Sequence, residues 1–213
     1  MIRFYHNPKS GGTAIYNMTK EWKNFKRAHP RKNHVKISQY PPNKNEIAMT
    51  VIRHPYSRFE SAFYHMVDSC NDRFYYRYAS QSDCNTLNKL GIDFNIFRGN
   101  PNLFLHALYY KSDINHKPAQ KIFDTFSIFK PQFYWLSDIW RLRVHPKLKI
   151  ILRQENLRQS FDKLAMELGQ IPMWPGPSES NRRITPNIIP LTEESKQIIR
   201  EVYKNDFKYF KFE

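Results

Sequence analysis

The sequence has little cysteine and no long apolar run. Its two cysteines, Cys70 and Cys84, have no partner at zinc-ligand spacing, so the sequence predicts no metal site. Their polar stretch suits either a loop disulfide or two reduced thiols. No run of about eighteen apolar residues is present, which predicts no transmembrane helix and no membrane anchor. Because no hydrophobic signal region precedes Ile2, we expect a cytoplasmic protein.

Acidic residues are scarce relative to basic ones. Asp and Glu number 19 against 34 Lys and Arg, which gives a formal net charge of +15. A surface of this sign attracts anions, whether nucleotides, nucleic acids or acidic polysaccharides. No nucleic-acid-binding signature accompanies the charge, so we expect no nucleic acid partner. A non-catalytic polyanion or nucleic-acid binder nevertheless stays open as an alternative to an enzyme.

Apolar residues alternate between strand-like runs and helical spacing. Strand-like runs occupy residues 2–6, 34–38, 47–52 and 148–152. Helical spacing covers residues 14–29, 56–67, 103–110, 118–126, 156–168 and a last segment beginning at Thr192. Residues 68–100 show little periodicity and are expected to form a long irregular excursion. The alternation predicts one domain over residues 1–213, of the α/β class, with a parallel β-sheet flanked by helices.

Two of only six glycines, Gly11 and Gly12, are adjacent and lie between the first predicted strand and helix. Backbone without side chains can approach a ligand closely, and strand–turn–helix order points N–H groups at a phosphate. Lys9 adds a positive charge, while Ser10 and Thr13 add hydroxyl donors. A Walker A loop places lysine after the second glycine, which disfavours a P-loop kinase or nucleotide hydrolase. The loop predicts phosphate binding, with a simple helix-capping turn as the alternative.

A second group of anion-binding residues follows the third predicted strand. Arg53 leaves the carboxyl end of that strand, where open α/β sheets bind ligands, and its guanidinium suits a phosphate. Ser61, two helical turns later, offers a hydroxyl to the same anion. Arg58 lies between them and is a candidate either for a ligand contact or for a surface ion pair.

Residues 8–13, Pro-Lys-Ser-Gly-Gly-Thr, resemble the 5′-phosphosulfate loop of sulfotransferases that use 3′-phosphoadenosine-5′-phosphosulfate (PAPS), especially the carbohydrate enzymes. Residues 53–63 resemble their 3′-phosphate motif, and the two motifs occur in the family's order. The resemblance implies the P-loop-like sulfotransferase fold. It also implies in-line transfer of a sulfuryl group from PAPS to a hydroxyl acceptor, expected to be a glycan, with adenosine 3′,5′-bisphosphate as product.

The resemblance also assigns roles to individual residues. The residues implied to hold the 5′-phosphosulfate are Lys9, Ser10, Gly11, Gly12, Thr13 and Ala14. Lys9 would in addition compensate charge on the departing phosphate. Arg53 and Ser61 would hold the 3′-phosphate, and Arg182 lies where many relatives have a loop that closes on the nucleotide.

The transfer needs a general base and no metal. Residues 34–38, His-Val-Lys-Ile-Ser, resemble the Gly-His-Val-Ser-Tyr stretch of heparan sulfate 2-O-sulfotransferases, whose histidine is the base. The resemblance implies His34 as the base, although Asn33 replaces glycine and Lys36 replaces serine. A carboxylate is the alternative, with Glu46 and Glu60 nearest to the donor motifs.

Two aromatic stretches are candidates for the acceptor side. Residues 73–78 interleave aromatic and basic side chains, which suits stacking on sugar rings or an internal aromatic cluster. Residues 130–136 resemble a segment that lines the acceptor cleft of related enzymes, with Gln132 as the polar contact. Gln132 and Arg58 are therefore the predicted acceptor-binding residues. The identity of the acceptor and the oligomeric state are not predicted.

Overall fold

The computed structural model describes residues 1–70, 81–138, 143–172, 174 and 188–213. The predicted aromatic stretch at residues 73–78 and Arg182 therefore lie outside the described residues. The chain divides into two compact units. The first comprises Met1–His54, Pro131–Ser180 and Asn205–Glu213, and the second comprises Pro55–Lys130 and Asn181–Lys204.

Six strands lie in the described residues of the first unit. They are β1 (Ile2–Tyr5), β2 (Phe25–Arg27), β3 (Ile47–Ile52), β4 (Ser137–Asp138), β5 (Arg143–Val144) and β6 (Leu148–Arg153). Four of them form a parallel sheet in the order β2-β1-β3-β6, and β4 pairs with β5 in a separate antiparallel ribbon. The parallel sheet confirms the predicted α/β class.

Nine α-helices lie in the described parts of the chain. They are α1 (Gly12–Thr19), α2 (Pro55–Cys70), α3 (Gln81–Lys89), α4 (Pro101–Tyr109), α5 (His116–Thr125), α6 (Gln132–Leu136), α7 (Leu157–Glu167), α8 (Glu193–Val202) and α9 (Lys204–Phe210). Short 3₁₀ turns cover Phe94–Phe97, Ser127–Phe129 and Gln154–Asn156. None of the described helices is both long enough and apolar enough to cross a membrane.

Successive side chains on a strand point in opposite directions, and the central strands β1 and β3 bury side chains on both faces of the sheet. One face, with Phe4 and Val51, packs against α1 and α7. The other, with Tyr5 and Ile52, packs against α6 and Phe210 near the C-terminus. Burial on both faces explains why β3 is an almost continuous apolar run. At about 1.5–3 kcal/mol for each large apolar side chain buried, these two layers fix the sheet edge on which the site is built.

The second unit is helical and has an aromatic core. Phe59 and Phe63 on α2 pack against Phe104 on α4, and Phe104 stacks on Phe129 with ring centroids 5.2 Å apart. Arg58 is also buried here. Its guanidinium donates to the backbone carbonyls of Ile128 and Lys130. This position ties α2 to the segment that follows α5.

The helix predicted for residues 14–29 was wrong in its second half. α1 ends at Thr19, and Phe25 begins β2. The apolar spacing was misleading because Trp22 and Phe25 pack on the same core as Ile15, although they do so from a turn and a short strand.

Two further expectations were wrong. Residues 34–38 form no strand, although Val35 and Ile37 are buried in the core, where the Ile37 N–H donates to the Trp135 carbonyl at 2.9 Å. Within the supposedly irregular residues 68–100, the structure has the end of α2, the whole of α3 and a 3₁₀ turn. Helix α3 was not predicted because its sequence is almost entirely polar and shows no apolar face. Cys70 and Cys84, in that region, are free thiols.

Candidate functional site

The candidate site lies at the carboxyl ends of β1 and β3. The chain leaves β1 and returns to the sheet as β2 on one side of β1, and it then returns as β3 on the other side. This reversal creates a switch point between β1 and β3, where open α/β sheets bind their ligands. The loop at residues 6–11 and the turn at Arg53 both begin at this edge.

The loop after β1, residues 6–11, leads directly into α1 and has an unusual backbone. Lys9 has a φ of 61° and Gly11 a φ of 85°, both in the left-handed region. That conformation is uncommon for a lysine, and such strain is typical of ligand-binding loops. Gly11 caps α1 without a side-chain hydrogen bond, and the first turn of α1 has no acidic residue. The N–H groups of this turn and the exposed Thr13 therefore suit an anion.

Gly12 is required because the first turn of α1 lies directly on the His6 ring. A Cβ atom at position 12 would lie 2.1 Å from Cδ2 and 2.6 Å from Nε2 of His6. The second glycine of the pair thus permits a close approach between the end of β1 and the start of α1.

Ser10 faces inward rather than toward the open side of the loop. It is 0% exposed, and its Oγ accepts a hydrogen bond from Asn7 Nδ2 at 3.1 Å. The hydroxyl lies 3.3 Å from Oε1 of Gln132, to which it can donate. We had expected this hydroxyl to contact the anion directly. Its side chain instead bonds to Asn7 and Gln132 and holds the loop.

The buried Gln132 joins the loop after β1 to the turn after β3. Its Oε1 accepts from Asn7 Nδ2 and from the Arg53 N–H, both at 2.8 Å, and its Nε2 donates to the Arg53 carbonyl, also at 2.8 Å. The side chain is 0% exposed. This geometry corrects the expectation that Gln132 contacts the acceptor.

Arg53 lies next to Lys9. Its guanidinium Nη1 lies 3.4 Å from the Lys9 carbonyl. The side chain is half-buried. The two predicted anion-binding elements within the first unit therefore meet at one edge of the sheet.

His34 lies beside the same loop. Its ring centroid is 4.8 Å from that of His6, the residue that follows β1, and 6.1 Å from that of Trp135. Burial, together with the nearby His34, Arg27 and Lys9, lowers the pKa of His6 to about 3. His6 is consequently a neutral ring at neutral pH, and it adds no charge beside His34.

Glu46, one of the two carboxylates considered as a base, is already engaged in ion pairs and a hydrogen bond. It forms ion pairs with Arg3 and Lys26 and accepts from the Asn43 N–H at 2.8 Å. Burial of the carboxyl opposes ionisation, but hydrogen bonds from Lys26 and Asn43 and the charge of Arg3 prevail and lower its pKa to about 2. A carboxylate held in this way is a poor proton acceptor. Glu60 lies on α2 in the second unit.

A cavity of about 180 Å³ opens beside the loop, between α1 and the segment after β2. Its lining includes His6 and Thr13 at the loop after β1, together with Tyr16, Arg27 and Lys32. The Arg27 guanidinium lies over the Tyr16 ring, 3.2 Å from its centroid. The cavity thus combines an aromatic wall with positive charge.

Three predicted residues lie outside the described part of the first unit. Ser61 and Arg58 lie on α2 in the second unit, and Arg182 is outside the described residues. The full burial of Arg58 and its bonds to main-chain carbonyls give it a structural role rather than contact with an acceptor. The half-buried Ala14 follows Thr13 on α1.

The roles of Asn7, His6 and Asp206 were not predicted from the sequence. Asn7 and Asp206 are polar residues that are 1% and 0% exposed. A buried polar side chain among apolar neighbours is an energetic cost unless it is hydrogen-bonded, but burial is not visible in a single sequence. The described residues include no group of three or more potential metal ligands.

Comparison with known proteins gives one family. Searches of curated proteins and of solved structures found no match to the chain. A family model described as "Sulfotransferase family" matches residues 3–213, which is nearly the whole chain and includes both predicted motifs. The protein therefore belongs to the sulfotransferase family.

Proposed function

We propose that this protein transfers a sulfuryl group from PAPS to a hydroxyl group of a carbohydrate, in the manner of the heparan sulfate 2-O-sulfotransferases. The observation that carries the proposal is the meeting of three features at the β1–β3 edge. These are the glycine loop at the start of α1, the guanidinium of Arg53 and the imidazole of His34 beside His6.

The residues present fit PAPS as the donor. The Gly11-Gly12 backbone, the N–H groups at the start of α1 and the Lys9 ammonium suit the 5′-phosphosulfate. Arg53 suits the 3′-phosphate because a guanidinium offers several donors in one plane. When bound, PAPS supplies a sulfuryl group on a phosphate leaving group. Lys9 would offset the negative charge that develops on that phosphate, an interaction that is strongest at the transition state.

His34 is proposed as the general base. A ring nitrogen of His34 takes the proton of the acceptor hydroxyl as its oxygen forms a bond to sulfur, while the bond from sulfur to the phosphate oxygen breaks. His6 and Trp135 pack around the His34 ring and restrict its orientation. Because His6 is uncharged at neutral pH, it does not oppose formation of the His34 imidazolium.

The cavity beside the loop is the proposed acceptor side. Arg27 and Lys32 in its lining favour an acceptor that itself carries carboxylate or sulfate groups, and Tyr16 offers an aromatic face to a sugar ring. An acidic glycan combines these features with the hydroxyl groups that the reaction needs.

The test is transfer of label from sulfur-35 PAPS to a panel of acidic glycans, neutral glycans and small hydroxyl compounds. We expect label in an acidic glycan and its loss in His34→Ala. Label in small hydroxyl compounds alone would support sulfuryl transfer and reject the carbohydrate acceptor. No transfer to any acceptor, combined with cleavage of ATP, would favour a nucleotide hydrolase. Tight binding of polyanions without any turnover would favour a binding protein.

A further inference from the structure

The side chain of Gln132 is buried, and all its hydrogen bonds go to the two loops of the candidate site. A glutamine amide has two N–H donors and one oxygen acceptor with two lone pairs. Here the oxygen is shared by Arg53 N–H, Asn7 Nδ2 and the weaker Ser10 contact. The nitrogen donates to the Arg53 carbonyl. Gln132 is 0% exposed, so the amide has no surface open to a ligand.

The two bonds to Arg53 define its orientation. Gln132 accepts from the N–H and donates to the C=O of the same residue, both at 2.8 Å. A neighbouring β-strand pairs with a residue in the same two-point manner. The Gln132 side chain therefore continues the pairing of β3 one residue past its end, at the position from which the Arg53 guanidinium leaves the sheet.

The Gln132 backbone is itself fixed. Asp206 accepts from the N–H of Gln132 at 2.8 Å and from the N–H of Phe133 at 2.7 Å, one bond to each carboxylate oxygen. Asp206 is 0% exposed. Charge-assisted bonds of this kind are short and strong, so the first turn of α6 has little freedom to move.

We propose that Gln132 is a positioning residue that sets the spacing between the loop that holds the 5′ end of the donor and the arginine that holds its 3′-phosphate. This inference rests on the proposed function and adds a determinant of donor recognition. Gln132 touches neither phosphate. It acts through Asn7 on one side and through the Arg53 peptide on the other.

The positioning role predicts that loss of Gln132 affects the binding of nucleotides with two phosphates more than the binding of nucleotides with one. Adenosine 3′,5′-bisphosphate must fit both elements at once, whereas adenosine 5′-monophosphate needs only the glycine loop. A change in spacing therefore weakens binding of the bisphosphate selectively. At an enzyme site, a misplacement of about 1 Å can lower activity by up to about a hundredfold. General loosening of the protein would weaken both ligands together.

The experiment is calorimetric titration of both nucleotides into the full-length wild type and variants. Gln132→Met keeps the volume of the side chain and removes its amide. Gln39→Met is the matched control, since it makes the same uncharged substitution at an exposed position of the same unit. In Gln132→Met we expect the ratio of bisphosphate to monophosphate affinity to fall by about tenfold or more. Gln39→Met should keep the wild-type ratio.

Asp206→Asn provides a second variant, which changes the bonds that fix the Gln132 backbone, and it carries the test if Gln132→Met does not fold. The asparagine NH₂ group replaces one of the two oxygens that accept hydrogen bonds from the first turn of α6. We therefore expect the ratio of bisphosphate to monophosphate affinity to fall in this variant as well. Equal weakening of both nucleotides in these variants, or no change in either, overturns the positioning role. If the wild type does not prefer the bisphosphate, the proposed function fails instead, which keeps the two failures distinct.

Discussion

Replacing Gly12 with alanine tests the packing on which the donor loop depends. The added Cβ would lie 2.1 Å from Cδ2 and 2.9 Å from Cγ of His6, well inside van der Waals contact. The ring has little room to turn, because it stacks on Phe4 and packs edge-on against His34. Either the start of α1 or the His6 ring must therefore move, and both border the proposed anion site.

The expected cost is about 1–3 kcal/mol, the usual range for overpacking a close-packed interior. Gly12 does not have a positive φ, so this cost is steric. Gly169→Ala is the control, because it changes the backbone strain without creating a steric clash. Gly169 has a φ of 64°, but an added Cβ would have nothing within 4 Å. Gly169→Ala thus isolates backbone strain, about 1–2 kcal/mol, at a position remote from the loop.

Urea denaturation gives the free energy of unfolding of each variant, and the variants to compare are Gly12→Ala, His6→Ala, the double variant and Gly169→Ala. We expect Gly12→Ala to lose affinity for adenosine 3′,5′-bisphosphate as well as stability, and Gly169→Ala to lose stability alone. Since the clash is between two residues, removing the His6 ring should rescue Gly12→Ala, with a coupling energy of about 1 kcal/mol or more. Additive effects in the double variant would refute the proposed contact.

Three other predictions follow from the site. His34→Ala should lower turnover by about two to four powers of ten and leave bisphosphate affinity intact, and near-normal turnover would remove His34 from the mechanism. Because the Glu46 pKa is lowered to about 2, the contribution of this carboxylate to the free energy of unfolding is present above pH 4.5 and is lost as pH falls toward 2. Glu46→Gln should therefore flatten this part of a profile of stability against pH. The contribution of neutral His6 is likewise present above pH 6.5 and declines as pH falls toward 3, a slope that His6→Leu should abolish.

The sequence predicted three strands of the parallel sheet well, because each is rich in apolar residues that pack in the core. β1, β3 and β6 begin and end within one residue of their predicted bounds. β2 was missed since it has only three residues, all half-buried at the edge of the sheet. A strand so short leaves no alternation to detect, and its single phenylalanine also fitted a helical spacing.

The site was predictable where chemistry is carried by consecutive residues. The glycine pair and Lys9 are recognisable in one loop, and Arg53 is recognisable from its place after a buried strand. The role of Gln132 was not predictable, because it depends on Asn7, 125 residues away, and on Asp206, 74 residues away. Contacts at such separations follow from the assembled fold, and no local pattern in the sequence encodes them.

The most direct test of PAPS-dependent transfer is the contribution of the 3′-phosphate to nucleotide binding. Calorimetric titration of the wild type with adenosine 3′,5′-bisphosphate and with adenosine 5′-monophosphate measures it. A guanidinium–phosphate contact contributes about 1.5–3 kcal/mol, so we expect the bisphosphate to bind about tenfold to a hundredfold more tightly. Arg53→Ala should remove most of this difference. Equal affinities in the wild type would contradict the assignment of PAPS as the donor.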